Sequence, residues 1–516
     1  MIVAELQQMV DKGVWHGIHM KDLTRAQRKA IIRSTMFLKD KYTADGEFEK
    51  FKARLVAGGD GQDKSLYDNL SAPTAATSSV LIVAGIAAAE HRKVMVADIG
   101  GAFLNADIKP TGILVHVRLD SLMTSILVRI DPSFKEFVAE DGSSVVQLDK
   151  AMYGTVEAAS LWHKDLTDML IKDGFKRNPY DFCVFNKVGP SGKQITVVCH
   201  VDDLLITSES ISDMDDFERA LRNKYKEVTS KRGAVINFIG MTFDFTRTGS
   251  VRITMDNLIN EILTHSGVET QRATPATETL FDVRDVEKLG TEDKAYFRTY
   301  VAKILYLAKR VRPECLTAVA FLSTRVQICD IDDLAKLRRV IGYLRATRDR
   351  GIAISIGETR TVKGYIDAAY GVHTASGKSH TGCAIVIGEA GPVYVKSVKQ
   401  KIVTKSSTEA ELVGLSDQGG QVLHTRNFVD AQGYATGPAI LYQDNLGTMS
   451  LVRKGGPCSE RSRHINIRHF WLKEKIDGVE AVMEHLGTTK MFSNMLTKPV
   501  QGEQFIVERR GLTNWD

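Results

Sequence analysis

The sequence has no long apolar run, few cysteines, no dominant charge, no internal repeats and no low-complexity tract. Its longest uninterrupted apolar stretch, Val80 to Ala89, has ten residues, about half of what a bilayer span needs, so no membrane segment is expected. Met1-Ile2-Val3-Ala4-Glu5 has no basic region before its first acid, which argues against a secretory signal. The six cysteines, Cys183, Cys199, Cys315, Cys329, Cys383 and Cys458, include no C-x-x-C spacing, so neither a disulfide frame nor a zinc cluster is implied. Reduced thiols in a cytosolic or nuclear compartment are the expectation. Against 68 Lys+Arg stand 63 Asp+Glu, leaving +5 over 516 residues. That excludes a histone-like polycation, and any nucleic-acid binding must come from local basic surfaces.

What remains is an ordinary globular composition, 43% hydrophobic and 25% charged, with a length that suits about three domains at ~150 residues each. Two extended runs, 34–41 and 48–57, flank Thr43-Ala44-Asp45-Gly46, where Asp-Gly signals a hairpin. A period of two puts Phe51, Ala53, Leu55 and Ala57 on one face of the second run. Lys50, Lys52 and Arg54 fall on the other, as a basic ridge. Pro73 and the Ala-rich stretch to Glu90 predict a helix with proline in its first turn, followed by a buried strand ending at Asp98. After an irregular stretch to about 147, Trp162, Leu166, Met169 and Leu170 mark one stripe of a helix that stops at Gly174. Strands follow at 182–187, 194–200 and 204–208, then a helix through Met214, Phe217 and Leu221. Residues 268–292 are polar and read as a linker. Three helical stretches (295–310, 314–328, 331–347) come next. From Gly351 strands return at 351–355, 361–366, 382–387 and 392–398, with a helix from Ser406 and a strand at 439–443.

Two acidic constellations stand out. Val197-Val198-Cys199-His200-Val201-Asp202-Asp203-Leu204-Leu205-Ile206 sets adjacent carboxylates at a tight turn between apolar strands, and Asp98 ends a third. Crowded carboxylates repel unless a cation neutralises them, and hard oxygen donors with few histidines nearby favour Mg²⁺ over zinc. Aspartate is also favoured in hairpin turns for its own sake, which is the plainer reading of the doublet. In the second constellation Gly364-Tyr365-Ile366-Asp367 ends a strand, Ser406-Ser407-Thr408-Glu409-Ala410-Glu411 opens a helix, and Leu441-Tyr442-Gln443-Asp444 ends another strand. An acid on each of three elements is what a second two-metal site requires, although glutamates in a first helical turn also complement the helix dipole.

Read together and in order, Lys52-Ala53-Arg54-Leu55-Val56-Ala57, Ser71-Ala72-Pro73-Thr74, Val96-Ala97-Asp98-Ile99-Gly100-Gly101-Ala102-Phe103-Leu104-Asn105, Leu148-Asp149-Lys150-Ala151-Met152-Tyr153-Gly154 and His200-Val201-Asp202-Asp203 resemble the reverse transcriptase of copia-type LTR retrotransposons. The likeness begins at Glu5-Leu6 and Gly13-Val14-Trp15 and continues through Phe238-Ile239-Gly240, Tyr306-Leu307, Arg312-Pro313 and Tyr343-Leu344. Its second part resembles ribonuclease H, with Lys378-Ser379, Thr381-Gly382, Lys405-Ser406-Ser407, Arg463-His464-Ile465 and Leu496-Thr497-Lys498-Pro499 in support.

The resemblance implies an α+β and α/β multidomain fold: a right-hand polymerase with fingers and palm over 1–255, a mainly helical thumb or connection over 256–350, an RNase H-like α/β domain over 351–500, and a tail at 501–516. It implies that Asp98, Asp202 and Asp203 hold two Mg²⁺ ions, with Mn²⁺ as a substitute. Asp367, Glu411 and Asp444 would hold the nuclease metals. Phe103 matches the aromatic gate against a ribose 2′-hydroxyl, though it also suits a core aromatic. Lys52 and Arg54 match cations that grip the incoming triphosphate, though a solvated edge strand would carry them too. The implied partners are an RNA template, a DNA primer, an RNA–DNA hybrid and deoxynucleoside triphosphates, in cytoplasmic particles or the nucleus. Nothing in the sequence resembles the protease, capsid or integrase that accompany such polymerases in their polyproteins.

Four positions depart from the family pattern. His200 stands where an aromatic usually precedes Val-Asp-Asp. Glu157 replaces a glutamine that meets the nucleotide, which puts a negative charge near a triphosphate. Asn494 replaces the fourth nuclease acid and Asn466 an aspartate after His-Ile. Loss of an anion at 494 predicts weakened binding of a second metal ion, a nuclease more impaired than the polymerase, and a gain of cleavage on Asn494→Asp. A decayed element that binds nucleic acid without turnover is the alternative function.

Overall fold

The computed structural model describes residues 1–42, 48–67, 70–454 and 471–515. The expected turn at 43–46, Cys458, Arg463-His464-Ile465 and Asn466 lie outside the described residues. No helix among the described residues is long and apolar enough to cross a membrane.

The basic hairpin forms as Ile32–Tyr42 paired with Phe48–Ala57, on the edge of a five-stranded sheet with His116–Leu119, Ser144–Leu148 and Trp15–Gly17. Ala53, Leu55 and Ala57 are buried as their alternation predicts, but Phe51 is 54% exposed. It lies where the hairpin has run past the core, beside an equally exposed Phe48 whose ring centroid is 5.0 Å away. The stretch expected to be irregular up to 147 holds the strands His116–Leu119 and Ser144–Leu148 and a helix, Ser121–Ile130. Asp120 caps that helix by accepting from the Met123 N–H at 2.8 Å, and Met123 and Leu127 turn inward.

The second sheet orders Val228–Arg232, Lys93–Ile99, Asp203–Ser208, Gln194–His200, Asp181–Val188 and Lys176–Asn178. Against it pack the helix Ala158–Lys172, through Trp162, Leu166 and Leu170, and the helix Ile211–Tyr225, through Met214, Phe217 and Leu221. The helix Thr77–Ala89 is buried almost all round, from Ser79 to Ala88, as its composition dictates. It begins at Thr77, so Pro73 stays outside its first turn. The Asp181 carboxylate accepts the Ala76 N–H at 3.0 Å and the Cys183 thiol reaches the Pro73 carbonyl, which hold the approach extended.

Residues Ile352–Ile354, expected to open the second α/β unit, pair instead with Val251–Thr254 and complete a four-stranded sheet with Val235–Phe238 and Met241–Asp244. Gly85 makes room for them: a Cβ there would meet Ile354 at 2.8 Å and Ile356 at 2.7 Å. The helices Thr291–Ala308, Leu316–Arg325 and Ile331–Ala346 form the helical middle of the chain. The polar segment before them is irregular but not loose, since Phe281 wedges against His373 and Phe321 with ring centroids 4.7 and 5.5 Å away.

The last sheet orders Pro392–Lys399, Lys378–Ile387, Val362–His373, Ala439–Gln443 and Ala481–His485. Its first three strands are antiparallel and the last two join in parallel. The helix Ser407–Ala431 crosses the sheet closely enough that a Cβ on Gly364 would meet Val422 at 2.5 Å. Residues 501–516, read as a tail, contain a helix, Gly502–Thr513, that buries Phe505, Glu508 and Leu512.

Polar groups stitch the two halves together. Arg92, buried to 7% exposure, donates to Glu90, Thr196, Gln194 and, at 2.8 Å, to the hydroxyl of Tyr434 in the second half. Tyr434 donates in turn to Glu90 at 3.0 Å, and Arg360 reaches the other Glu90 oxygen at 3.2 Å. The Asn178 amide donates to the Phe428 carbonyl and the Gln194 amide to the Gln432 carbonyl.

Candidate active sites

The first site is built by strand register. Lys93–Ile99 and Asp203–Ser208 run antiparallel with Asp98 directly opposite Asp203, and Asp203 in turn faces His200. Only Val201 and Asp202 turn the chain between the strands Gln194–His200 and Asp203–Ser208. Such short hairpin loops need positive φ, and Val201 adopts +61° despite its β-branched side chain. Two bonds hold it there: the Trp162 indole N–H donates to the Val201 carbonyl at 2.7 Å, and the Ile99 N–H to the Asp202 carbonyl at 3.1 Å. Burial, then the charges of Asp202 and Asp98, push the Asp203 carboxyl up to about 6. The register thus gathers the three aspartates named from the sequence. His200 is half-buried, and its imidazole is held below its usual range by burial and by Arg310, with Asp202 opposing.

Beside this cluster stand the nucleotide-facing candidates. Phe103, in the short turn Ala102–Asn105, meets Tyr153 edge-on at 5.1 Å between centroids, and the Arg54 guanidinium lies over the Tyr153 ring at 5.1 Å. Burial pushes the Tyr153 hydroxyl up to about 12, with Arg54 opposing and Glu5, Asp202 and Asp98 adding to the rise. Tyr153 therefore brings Arg54 and Phe103 together, a role no spacing in the sequence announced. Glu5 was missed as well. It is buried and accepts the Leu55 N–H at 3.1 Å, so it pins the strand that carries Lys52 and Arg54 from beneath.

Lys52 is exposed and stands opposite Lys39 across the hairpin. Like charges directly opposed are unfavourable unless an anion lies over them. Glu157 departs from expectation. It is 2% exposed, accepts from the Gln62 amide at 3.0 Å and interacts with Tyr67, and Gln62 also accepts the Val156 N–H at 2.9 Å. Its carboxylate ties the 59–67 loop to the start of the Ala158–Lys172 helix.

At the second site Asp367, Glu411 and Asp444 bring carboxylate oxygens within 4.8 Å of one another. Among the described residues this is the trio of acids that closes to such a spacing, while at the first site the register sets Asp98 opposite Asp203. Burial raises the Asp367 and Glu411 carboxyls, and the mutual charges of the trio raise them further. Thr497 donates to Asp367 at 2.5 Å, Thr488 to Asp444 at 3.0 Å, and the Gln443 amide to Glu411 at 3.3 Å. Asn494, at the position of the family's fourth acid, is tied into this frame through its amide nitrogen, while its Oδ1 has no hydrogen-bond partner among the described residues. Its buried amide donates to the Thr488 carbonyl at 2.9 Å and to Glu508 at 3.4 Å. Each cluster brings three carboxylates together, a donor set that fits a hard divalent cation.

Residues 21–279 match the family described as reverse transcriptase (RNA-dependent DNA polymerase). The chain belongs to that family. Asp98, Asp202, Asp203, Lys52, Arg54, Phe103 and Glu157 of this reverse transcriptase all lie inside the matched region, whereas Asp367, Glu411 and Asp444 lie beyond it. The Retrovirus-related Pol polyprotein from transposon RE1 of Arabidopsis thaliana is 27% identical over 92% of the chain and 31% of its own length. That from transposon TNT 1-94 of Nicotiana tabacum is 23% identical over 92% of the chain and 35% of its own length. These polyproteins place the reverse transcriptase in the copia-type LTR retrotransposon group, and the chain spans about a third of their length. A crystal structure of prototype foamy virus protease-reverse transcriptase covers 96% of the chain and 54% of its own at 12% identity, with a TM-score of 0.28, too low to carry an argument.

Proposed function

We propose that this chain copies RNA, and then DNA, into DNA at Asp98, Asp202 and Asp203, and cleaves the RNA of the resulting hybrid at Asp367, Glu411 and Asp444. The observation that carries the first activity is the register that sets Asp98 opposite Asp203 at the end of the Val201-Asp202 turn. The same reading divides the chain into fingers and palm, a helical thumb or connection, and an RNase H-like domain. The carboxylates of each cluster would hold Mg²⁺, which supplies Lewis-acid stabilisation of the attacking and leaving oxygens at a phosphorus centre.

The protein's own groups orient the reactants. Arg54, stacked on Tyr153 next to the acids, is placed to hold a triphosphate with a bidentate fork, and Lys52 adds a point charge from the same strand face. Phe103 forms a wall beside Tyr153 that would crowd a ribose 2′-hydroxyl and admit deoxynucleotides. Lys52 and Lys39, opposed across the hairpin, suit a phosphate backbone. In the second half the buried trio would act on a hybrid recognised by its shape and its 2′-hydroxyls.

The test is primer extension by the purified chain on a homopolymer RNA and then a DNA template with Mg²⁺, alongside cleavage of a labelled RNA–DNA hybrid. Asp202→Asn should abolish extension and spare cleavage, and Asp444→Asn the reverse. A wild-type chain that binds template and primer but performs neither reaction would leave only the nucleic-acid-binding remnant.

A further inference from the structure

Behind the nuclease trio lies a hydrogen-bonded frame that the proposed reaction has not used. Two threonines reach the acids: the Thr488 hydroxyl donates to Asp444 at 3.0 Å, and Thr497 lies 2.5 Å from Asp367. Both are tied to one residue. The Asn494 side-chain amide donates to the Thr488 carbonyl at 2.9 Å, and the Thr497 hydroxyl also lies 2.8 Å from the Asn494 carbonyl oxygen. Asn494 is fully buried, and its amide finds a second acceptor in Glu508 at 3.4 Å, on the helix Gly502–Thr513. Glu508, 2% exposed, is fixed further by the Gln504 amide at 2.8 Å.

We infer that Asn494, backed by Glu508, is a positioning residue of the nuclease site, and that the C-terminal helix belongs to that site. The inference rests on the nuclease reading above. It also reverses what the sequence alone suggested for residue 494. Only a side chain with N–H donors can serve two acceptors there, the Thr488 carbonyl and the Glu508 carboxylate. An aspartate would offer neither bond, would face Glu508 with like charge in a site shut off from water, and would leave the Thr488 arm unanchored. The asparagine Oδ1 already lacks a partner, so a second charged oxygen would find none.

The experiment is a melting series on the full chain in EDTA and along a Mg²⁺ titration, in an Asp98→Asn background that leaves one acid cluster whole. Asn494→Asp should lower the EDTA midpoint by ~5 °C and raise the Mg²⁺ concentration needed to stabilise the chain about tenfold, as loss of an outer-shell partner does. In Asn494→Asp/Glu508→Gln the new amide donates to the introduced carboxylate, so the EDTA midpoint should recover. The Thr488 arm stays broken, so the Mg²⁺ dependence should stay raised. Thr488→Val should raise the Mg²⁺ dependence without Asn494 being touched. A merely structural role would restore both readouts together in the double variant, and that result, or a wild-type Mg²⁺ response in Asn494→Asp, overturns the inference. Hybrid cleavage is assayed separately on the wild-type chain. Its failure would remove the nuclease reading alone, because the melting series uses no substrate.

Discussion

The Trp162 side chain reaches from another element to hold the turn that carries Asp202 and Asp203, and Trp162→Phe isolates that restraint. Trp162 is 1% exposed, stacks edge-on with Tyr225 at 5.3 Å and donates to the Val201 carbonyl at 2.7 Å. Phenylalanine keeps most of the ring contact but removes the donor. The lost bond leaves a carbonyl of a left-handed valine without its partner, at a cost of about 1–2 kcal/mol. The space vacated by the smaller ring adds about 1–2 kcal/mol. The expected loss is therefore ~3 kcal/mol, read as a lower denaturant midpoint with unchanged slope by circular dichroism. Because the indole touches the turn and not a nucleotide, steady-state primer extension should lose kcat by an order of magnitude while KM changes little. A variant with the predicted stability loss and wild-type kcat would show that the aspartate turn keeps its place without the indole, and the reasoning would fail.

Asp203→Asn should stabilise the metal-free chain at neutral pH. The folded-state carboxyl sits near 6, above its ordinary value of 3.8, so the native state binds a proton more readily than the unfolded one between those limits. Its contribution is intact below pH ~4 and is lost as pH rises through ~6. The melting midpoint of Asp203→Asn in EDTA should exceed wild type at pH 7, and the gap should close towards pH 4; a constant gap across that range would contradict the assigned cause. Phe103→Ala removes the wall beside Tyr153, and misincorporation of ribonucleotides relative to deoxynucleotides should rise about tenfold or more. Unchanged sugar discrimination in a variant that still extends primers would place the gate elsewhere.

The acid clusters were legible in the sequence because each aspartate sits at the end of an apolar run, where a period of two fixes its face and chain reversal fixes its neighbour. The strand ending at Asp98 and the strand from Leu204 to Ser208 both read as apolar runs, and their pairing is a matter of the fold. What stayed hidden depends on partners distant along the chain. Glu157 looks like an open charge until the amide of Gln62, 95 residues away, is seen to donate to it in the interior. Ile352–Ile354 looks like the start of a new unit until Gly85 and Val251–Ile253 claim it. Asn494 looks like a defect until its amide is seen to donate to Glu508, in a stretch with no motif. The strands at 116–119 and 144–148 are too short to carry a period, and Phe51 obeys its alternation but runs out of core to face.

Arg92 and Tyr434 clasp the two halves through buried hydrogen bonds to a shared Glu90. A clasp of that kind behaves like a caliper locked at one opening. On the function proposed above, a duplex threaded past both acid clusters would be measured against a constant gap. The length of RNA left attached behind a growing DNA end would then be written into the junction, and loosening the clasp would blur that ruler before it slowed either blade.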